Sequence, residues 1–114
     1  MNMITYEEKR KLIKKVVKQN LNLTFTEIVI LDKLLFINKE SIEAVELKRL
    51  LYSQHTPISI QINNLIELGL LKKSRDTYDE RCIHLHDIDL PKIKSILEQY
   101  HTIVASILKP STPK

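Results

Sequence analysis

The sequence predicts a mainly α-helical chain with a small β-hairpin wing, arranged as a winged helix-turn-helix. Three observations carry that expectation. Apolar residues recur at helical spacing through several separate segments. Two of those segments are short and flank the turn residues Ser53-Gln54-His55-Thr56-Pro57, and a strand-turn-strand pattern follows them. The chain also holds a single glycine in 114 residues. Glycine supplies the positive-φ positions that tight hairpins and sandwich turns require, so its scarcity argues against an all-β fold.

The first helix is expected over 5–20. Thr5 with Glu8 three residues on has the form of a capping box, and early acids with later lysines suit the helix dipole. Leu12, Ile13, Val16 and Val17 form its narrow apolar stripe, while Lys9, Arg10, Lys11, Lys14, Lys15 and Lys18 face outward. Residues 20–24 connect it to a second helix that starts near Thr24 or Thr26, carries Glu27 early, and runs to Ile37. That helix is apolar on most sides (Ile28, Val29, Ile30, Leu31, Leu34, Leu35, Phe36), which places it at the centre of the core. The polar stretch Asn38-Lys39-Glu40-Ser41 ends it.

A third helix is expected over 44–52, anchored by Val45, Leu47, Leu50 and Leu51. Proline fits the first turn of a helix and not its interior, so Pro57 marks a new start with Thr56 as N-cap. The fourth helix then covers 57–68, with Gly69 at its C-cap. Leu70-Leu71-Lys72-Lys73 reads as a short strand, and Arg75-Asp76-Thr77-Tyr78-Asp79-Glu80 as a polar turn. From Arg81 to His86 the residues alternate, with Ile83 and Leu85 on one face and Cys82, His84 and His86 on the other. Pro91 opens a last helix that runs to Leu108, and the tail 110–114 is expected to fray. The chain is read as one domain over 1–114, with 5–20 and 91–108 as terminal dimerisation helices and 44–86 as helix-turn-helix plus wing.

Composition narrows the function classes. The net charge of +4 favours an anionic partner, and nucleic acid is the usual one for a small basic chain. No apolar run approaches the roughly 20 residues needed to span a bilayer, and the N-terminus has no apolar segment of the signal-peptide kind. A lone cysteine fits a reducing cytoplasm. There is no glycine-rich phosphate loop and no Ser-His-Asp or Cys-His arrangement, so neither an enzyme nor a cofactor is expected.

The second helix of a helix-turn-helix buries one face and offers the other to the major groove. At about 100° per residue, Ile58, Ile62, Leu65 and Ile66 share one stripe, and Ser59, Ile60, Asn63, Asn64 and Glu67 the other. Asn can read adenine, Ser can bond a base or phosphate, and an outward Ile60 can pack on a thymine methyl. Adjacent asparagines lower helix propensity without aiding packing.

The wing residues carry a family resemblance. Gly69-Leu70-Leu71-Lys72-Lys73 followed by Arg75-Asp76-Thr77-Tyr78-Asp79-Glu80-Arg81 resembles the MarR superfamily, and the Asp79-Glu80-Arg81 triplet is similar to the wing of its SarA-like branch. Leu23-Thr24-Phe25-Thr26-Glu27 ahead of an apolar helix also matches that branch, so the resemblance covers about residues 21–108. It implies a dimeric transcriptional regulator in which Arg81 enters the minor groove and Asp79 holds the hairpin in shape. Narrow A/T-rich minor grooves attract arginine, which gives Arg81 a physical basis. Lys72, Lys73 and Arg75 would sit on phosphates. The expected DNA contacts are therefore Thr56, Ser59, Ile60, Asn63, Asn64, Lys72, Lys73, Arg75, Asp79 and Arg81.

The recognition helix departs from the family's usual basic outer stripe. That leaves a second reading, a plasmid- or phage-type adaptor that binds another protein and little DNA. The last helix repeats Ile93, Ile96, Leu97, Tyr100, Ile103, Val104, Ile107 and Leu108, a stripe that suits pairing with a second copy or packing on the first helix. A two-fold dimer would place two recognition helices about one DNA turn apart on a pseudo-palindromic duplex. Cys82, His84 and His86 share a strand face, but with no fourth ligand evident the expectation is exposed wing residues and no metal.

Overall fold

A computed structural model describes residues 3–51, 58–79 and 82–108. Along the chain run α1 (Met3–Leu21), α2 (Phe25–Ile37), β1 (Ile42–Glu43), α3 (Ala44–Arg49), α4 (Ser59–Glu67), β2 (Lys72–Arg75), β3 (Ile83–His86) and α5 (Leu90–Leu108). Thr56, Pro57, Glu80, Arg81 and the 110–114 tail lie outside the described residues, as does the expected end of the third helix at Tyr52.

With one glycine available, the helix and strand ends use other residues that tolerate a left-handed backbone. Asn22, Asn38 and Asp87 sit at φ of 57°, 57° and 50° and close α1, α2 and β3. A short polar side chain can support this conformation locally, which is why Asn and Asp appear there. Gly69 (φ +77°) closes α4. Its N–H donates to the Ile66 carbonyl at 2.9 Å and Leu70 N–H to the Leu65 carbonyl at 3.1 Å, the two bonds of a Schellman motif. Lys92 Nζ donates to the Leu68 carbonyl at 3.2 Å, adding a cation where the helix dipole is negative. Asp89 starts α5: its side chain accepts from Lys92 N–H at 3.1 Å and its carbonyl from Ile93 N–H at 2.9 Å.

Several boundaries differ from the sequence expectation: α3 ends at Arg49, α4 begins at Ser59 with Ile58 and not Thr56 at its N-cap, and Arg75, expected in the turn, closes β2. The helix α1 begins at Met3, so Thr5 lies within it and not at its cap. The strand β2 begins two residues later than expected because Leu70 and Leu71 are buried in the core and leave the ladder to Lys72–Arg75. A third strand is added: β1 pairs antiparallel with β3, Ile42 opposite Leu85, giving the order β1-β3-β2.

The core is built from Ile13 and Val17 of α1, Ile28, Ile30, Leu31 and Leu34 of α2, Leu47 of α3, Ile62 and Leu65 of α4, Leu85 of β3, and Ile93 and Leu97 of α5. α2 is central as expected through the buried Ile28, Ile30, Leu31 and Leu34, while Val29 and Phe36 are exposed. α1 and α5 pack on each other, and Phe25 stacks on Tyr100 with ring centroids 6.3 Å apart, joining α2 to α5. Each terminal helix has 19 residues, about 28 Å at 1.5 Å per residue, and the molecule is correspondingly long at 64 × 29 × 22 Å. Apolar side chains stay uncovered near its ends: Met3, Ile4 and Tyr6 are exposed at 77%, 72% and 51%, and Ile103, Val104, Ile107 and Leu108 are half-buried.

Among the described residues one charged group is buried. Glu27, 1% exposed, accepts from Thr24 N–H at 3.0 Å through Oε1 and from the Asn64 amide at 2.8 Å through Oε2. Its own N–H donates to Thr24 Oγ1 at 3.3 Å, completing a capping box. Glu27 thus ties the start of α2 to α4. Replacing Glu27 by Ala removes both bonds and leaves the half-buried Asn64 amide without this partner, and chemical denaturation is expected to show a loss of about 1–3 kcal/mol. Because the two residues share one bond, Asn64→Ala should cost far less in the Glu27→Ala background than alone.

Candidate nucleic-acid interface

The two faces of α4 separate as its 3.6-residue period requires. Ile58, Ile62 and Leu65 are buried and Ile66 half-buried, while Ser59, Ile60, Asn63 and Glu67 are exposed. Ile60 is 72% exposed, so a large apolar side chain stands in solvent on this face. Asn64 does not share it. The sequence reading set Asn64 outward, but it is half-buried, with an amide N–H donated to Glu27.

β2 stands beside this face. Lys72, Lys73, Ser74 and Arg75 are all exposed. Lys73 Nζ donates to Asn63 Oδ1 at 2.8 Å, joining the helix and the wing across the surface. Lys72 Nζ lies 3.7 Å from Asp87 Oδ2, an exposed pair of small energetic weight. Between α3, α4 and the sheet lies an open cavity of about 630 Å³ lined in part by Lys48, Ser59, Ile62, Lys73, Asp79 and Cys82.

The wing turn is organised by Asp76. Its Oδ1 accepts from the N–H of Tyr78 at 2.7 Å and of Asp79 at 3.4 Å, an Asx-type turn. Its Oδ2 lies 3.4 Å from His84 Nε2. The backbone closes alongside, with Asp76 N–H donating to the Cys82 carbonyl and Cys82 N–H to the Asp79 carbonyl, both at 2.9 Å. The Tyr78 N–H, with the His84 ring next in weight, holds the Asp76 carboxyl below its ordinary value. Burial, reinforced by the charges of Glu43, Asp76 and Asp79, pushes the Cys82 thiol up.

A basic hairpin set against the exposed face of a short helix is the geometry of a winged helix, and residues 12–97 match the family described as transcriptional regulator SarA/Rot. The chain belongs to the SarA/Rot family of transcriptional regulators. Solved structures agree on the fold. One is a putative MarR-like transcription regulator from Bacillus cereus, 13% identical, with 95% of this chain and 77% of that chain covered at a TM-score of 0.65. AbsC, a MarR family transcriptional regulator from Streptomyces coelicolor, is 16% identical over 91% of this chain and 74% of its own at 0.62. A mutant MarR from E. coli, complexed with operator DNA, is 18% identical over 91% and 71% at 0.58. The family is one of transcriptional regulators, and no helix among the described residues is long and apolar enough to cross a membrane.

Within this SarA/Rot wing, the structure brings Ser59, Ile60, Asn63, Lys72, Lys73 and Arg75 to exposed positions on α4 and β2. Asp79 is exposed in the turn, where its carbonyl takes part in the closure. Thr56 and Arg81 lie outside the described residues. Sequence reasoning missed Asp76, although it had a legible signal, an aspartate two residues before the backbone N–H it captures.

Because the folded Asp76 carboxyl sits below its ordinary value of 3.8, the capped turn is fully formed above that pH and is lost as pH falls through the lower folded value. The Tyr78 amide signal should therefore titrate with a midpoint below 3.8 in an NMR experiment. In Asp76→Ala the Tyr78 and Asp79 amides should exchange rapidly at neutral pH, while the melting temperature of the helical core stays unchanged.

Proposed function

We propose that this SarA/Rot family member binds double-stranded DNA as a homodimer, with α4 in the major groove and the wing in the minor groove of an A/T-rich, pseudo-palindromic site. The observation that carries this reading is the continuous exposed surface on which Asn63 of α4 and Lys73 of β2 are joined at 2.8 Å. It is supported by the E. coli MarR mutant of like fold, which was solved with operator DNA.

In this reading Ser59, Ile60 and Asn63 meet base edges, Ile60 by packing on a thymine methyl. Lys72, Lys73 and Arg75 hold phosphates, and Arg81 enters the narrow minor groove. Asn64 acts through Glu27 by fixing the angle of α4. Thr56 would contact the backbone ahead of the helix, and Asp79 would help shape the loop that presents Arg81. Dimerisation would cover the apolar ends of α1 and α5, and the cytoplasm is where such a regulator meets its DNA. A second reading follows from α4 itself, whose exposed face carries Ser59, Ile60, Asn63 and Glu67 and no cation. Such a face would also suit an adaptor that binds protein.

Fluorescence anisotropy on A/T-rich duplexes tests the reading. Arg81→Ala should weaken binding by about 5–150-fold, corresponding to about 1–3 kcal/mol for one groove contact; unchanged affinity would remove the wing from the interface. Asn63→Ala should flatten the preference among sequences while leaving affinity for unrelated duplexes in place. No binding to any duplex at low salt would favour the adaptor. For assembly, Ile107→Glu should convert a sedimenting dimer into a helical monomer, and an unaltered dimer would place the interface elsewhere.

A further inference from the structure

We propose that Asp76, Cys82 and His84 form a binding site for a thiophilic divalent cation of the zinc type, built into the wing. The site is independent of whether the wing contacts DNA.

The ladder brings these residues together. Arg75 pairs with Ile83 and Ser74 with His84, so Asp76 stands opposite Cys82, with His84 diagonal to it on the same face. One ligand atom from each residue, a carboxylate oxygen, Sγ and a ring nitrogen, lies within 4.8 Å of the others. His84 Nε2 is 3.4 Å from Asp76 Oδ2 and 3.9 Å from Cys82 Sγ. In a tetrahedral zinc site, with bonds of about 2.3 Å to sulfur and about 2.0–2.1 Å to nitrogen and oxygen, neighbouring donors sit about 3.3–3.6 Å apart. Small side-chain rotations reach that spacing, with the fourth vertex open to water.

Two features mark this as more than an accidental cluster. Asp76 Oδ1 is held by the Tyr78 and Asp79 N–H groups, which aims Oδ2 at the other two ligands, as outer hydrogen bonds do in metal sites. Three carboxylates act on the sulfur itself: Glu43 pairs with His84 across β1–β3, and its charge acts on Cys82 together with those of Asp76 and Asp79. Those charges oppose a bare thiolate and favour a cation beside it. On binding, the Cys82 S–H bond breaks, the sulfur lone pair forms the bond to the metal, and the proton passes to solvent. A thiolate, an imidazole and a carboxylate together suit Zn²⁺ and not the oxygen-seeking Mg²⁺ or Ca²⁺. His86 is outside the set, its Nδ1 lying 3.6 Å from Asp87 Oδ2. Cys82 also lines the open cavity beside α4, which provides an entry path.

Titration of the full, metal-free chain with Co²⁺ as a spectroscopic probe, then with Zn²⁺ in competition, tests the proposal. The expected result is one Co²⁺ per chain, with a thiolate-to-cobalt charge-transfer band and the strong visible bands of tetrahedral coordination, both displaced by Zn²⁺. Cys82→Ser should abolish the charge-transfer band, and Asp76→Asn should weaken uptake by about 10–100-fold. His86→Gln should leave both readouts unchanged, and circular dichroism confirms that each variant keeps its helices. An absence of Co²⁺ uptake, or equal spectra and affinity in wild type and Cys82→Ser, overturns the site.

Discussion

The position of α4 depends on one buried carboxylate. Placing a charge in a protein interior is costly unless its oxygens are hydrogen-bonded, and Glu27 meets that condition with the Thr24 backbone on one oxygen and the Asn64 amide on the other. The same group therefore starts α2 and fixes α4. The fixing matters because α4 has little of its own at its start: its N-cap Ile58 makes no side-chain cap bond. Its orientation comes from the buried Ile62 and Leu65, from Glu27 on one side, and from the Gly69 Schellman closure and Lys92 at its far end. Once those are set, Ser59, Ile60 and Asn63 have nowhere to face but outward.

The wing solves a different problem. A two-stranded hairpin is marginal alone, and here it gains a third strand in β1, a buried anchor in Leu85, and a turn organised by Asp76. The charge is divided between the two parts. The exposed face of α4 carries no cation and is suited to reading bases, whereas β2 carries Lys72, Lys73 and Arg75 and is suited to phosphates. The Lys73–Asn63 hydrogen bond joins the two roles into one surface.

Much of this was legible because it rests on local chemistry. Helical periodicity located the five helices of the described residues, and Gly69 marked the end of α4, since few other residues adopt its backbone without strain. The threonine-to-glutamate pattern was less decisive. It occurs at both Thr5–Glu8 and Thr24–Glu27, and only the second is a cap, because α1 continues back to Met3. β1 is two residues long, too short for any periodicity to show. Leu70 and Leu71 are consecutive apolar residues that read equally well as strand or as core anchor. The partner of Asn64 lies 37 residues away, beyond the reach of helical spacing, which assigned it to the outer face. The metal-ligating set was half visible in the Cys82/His84 alternation; Asp76 joins it only across the hairpin.

The dependence of duplex affinity on salt is the most direct measure of whether this surface holds DNA. Each phosphate neutralised releases counterions, and log K falls with log salt with a slope of about −0.9 per contact. With Lys72, Lys73 and Arg75 engaged on both halves of a dimer, a slope of about −5 is expected. A slope near zero, with affinity unchanged between low and physiological salt, would contradict the account.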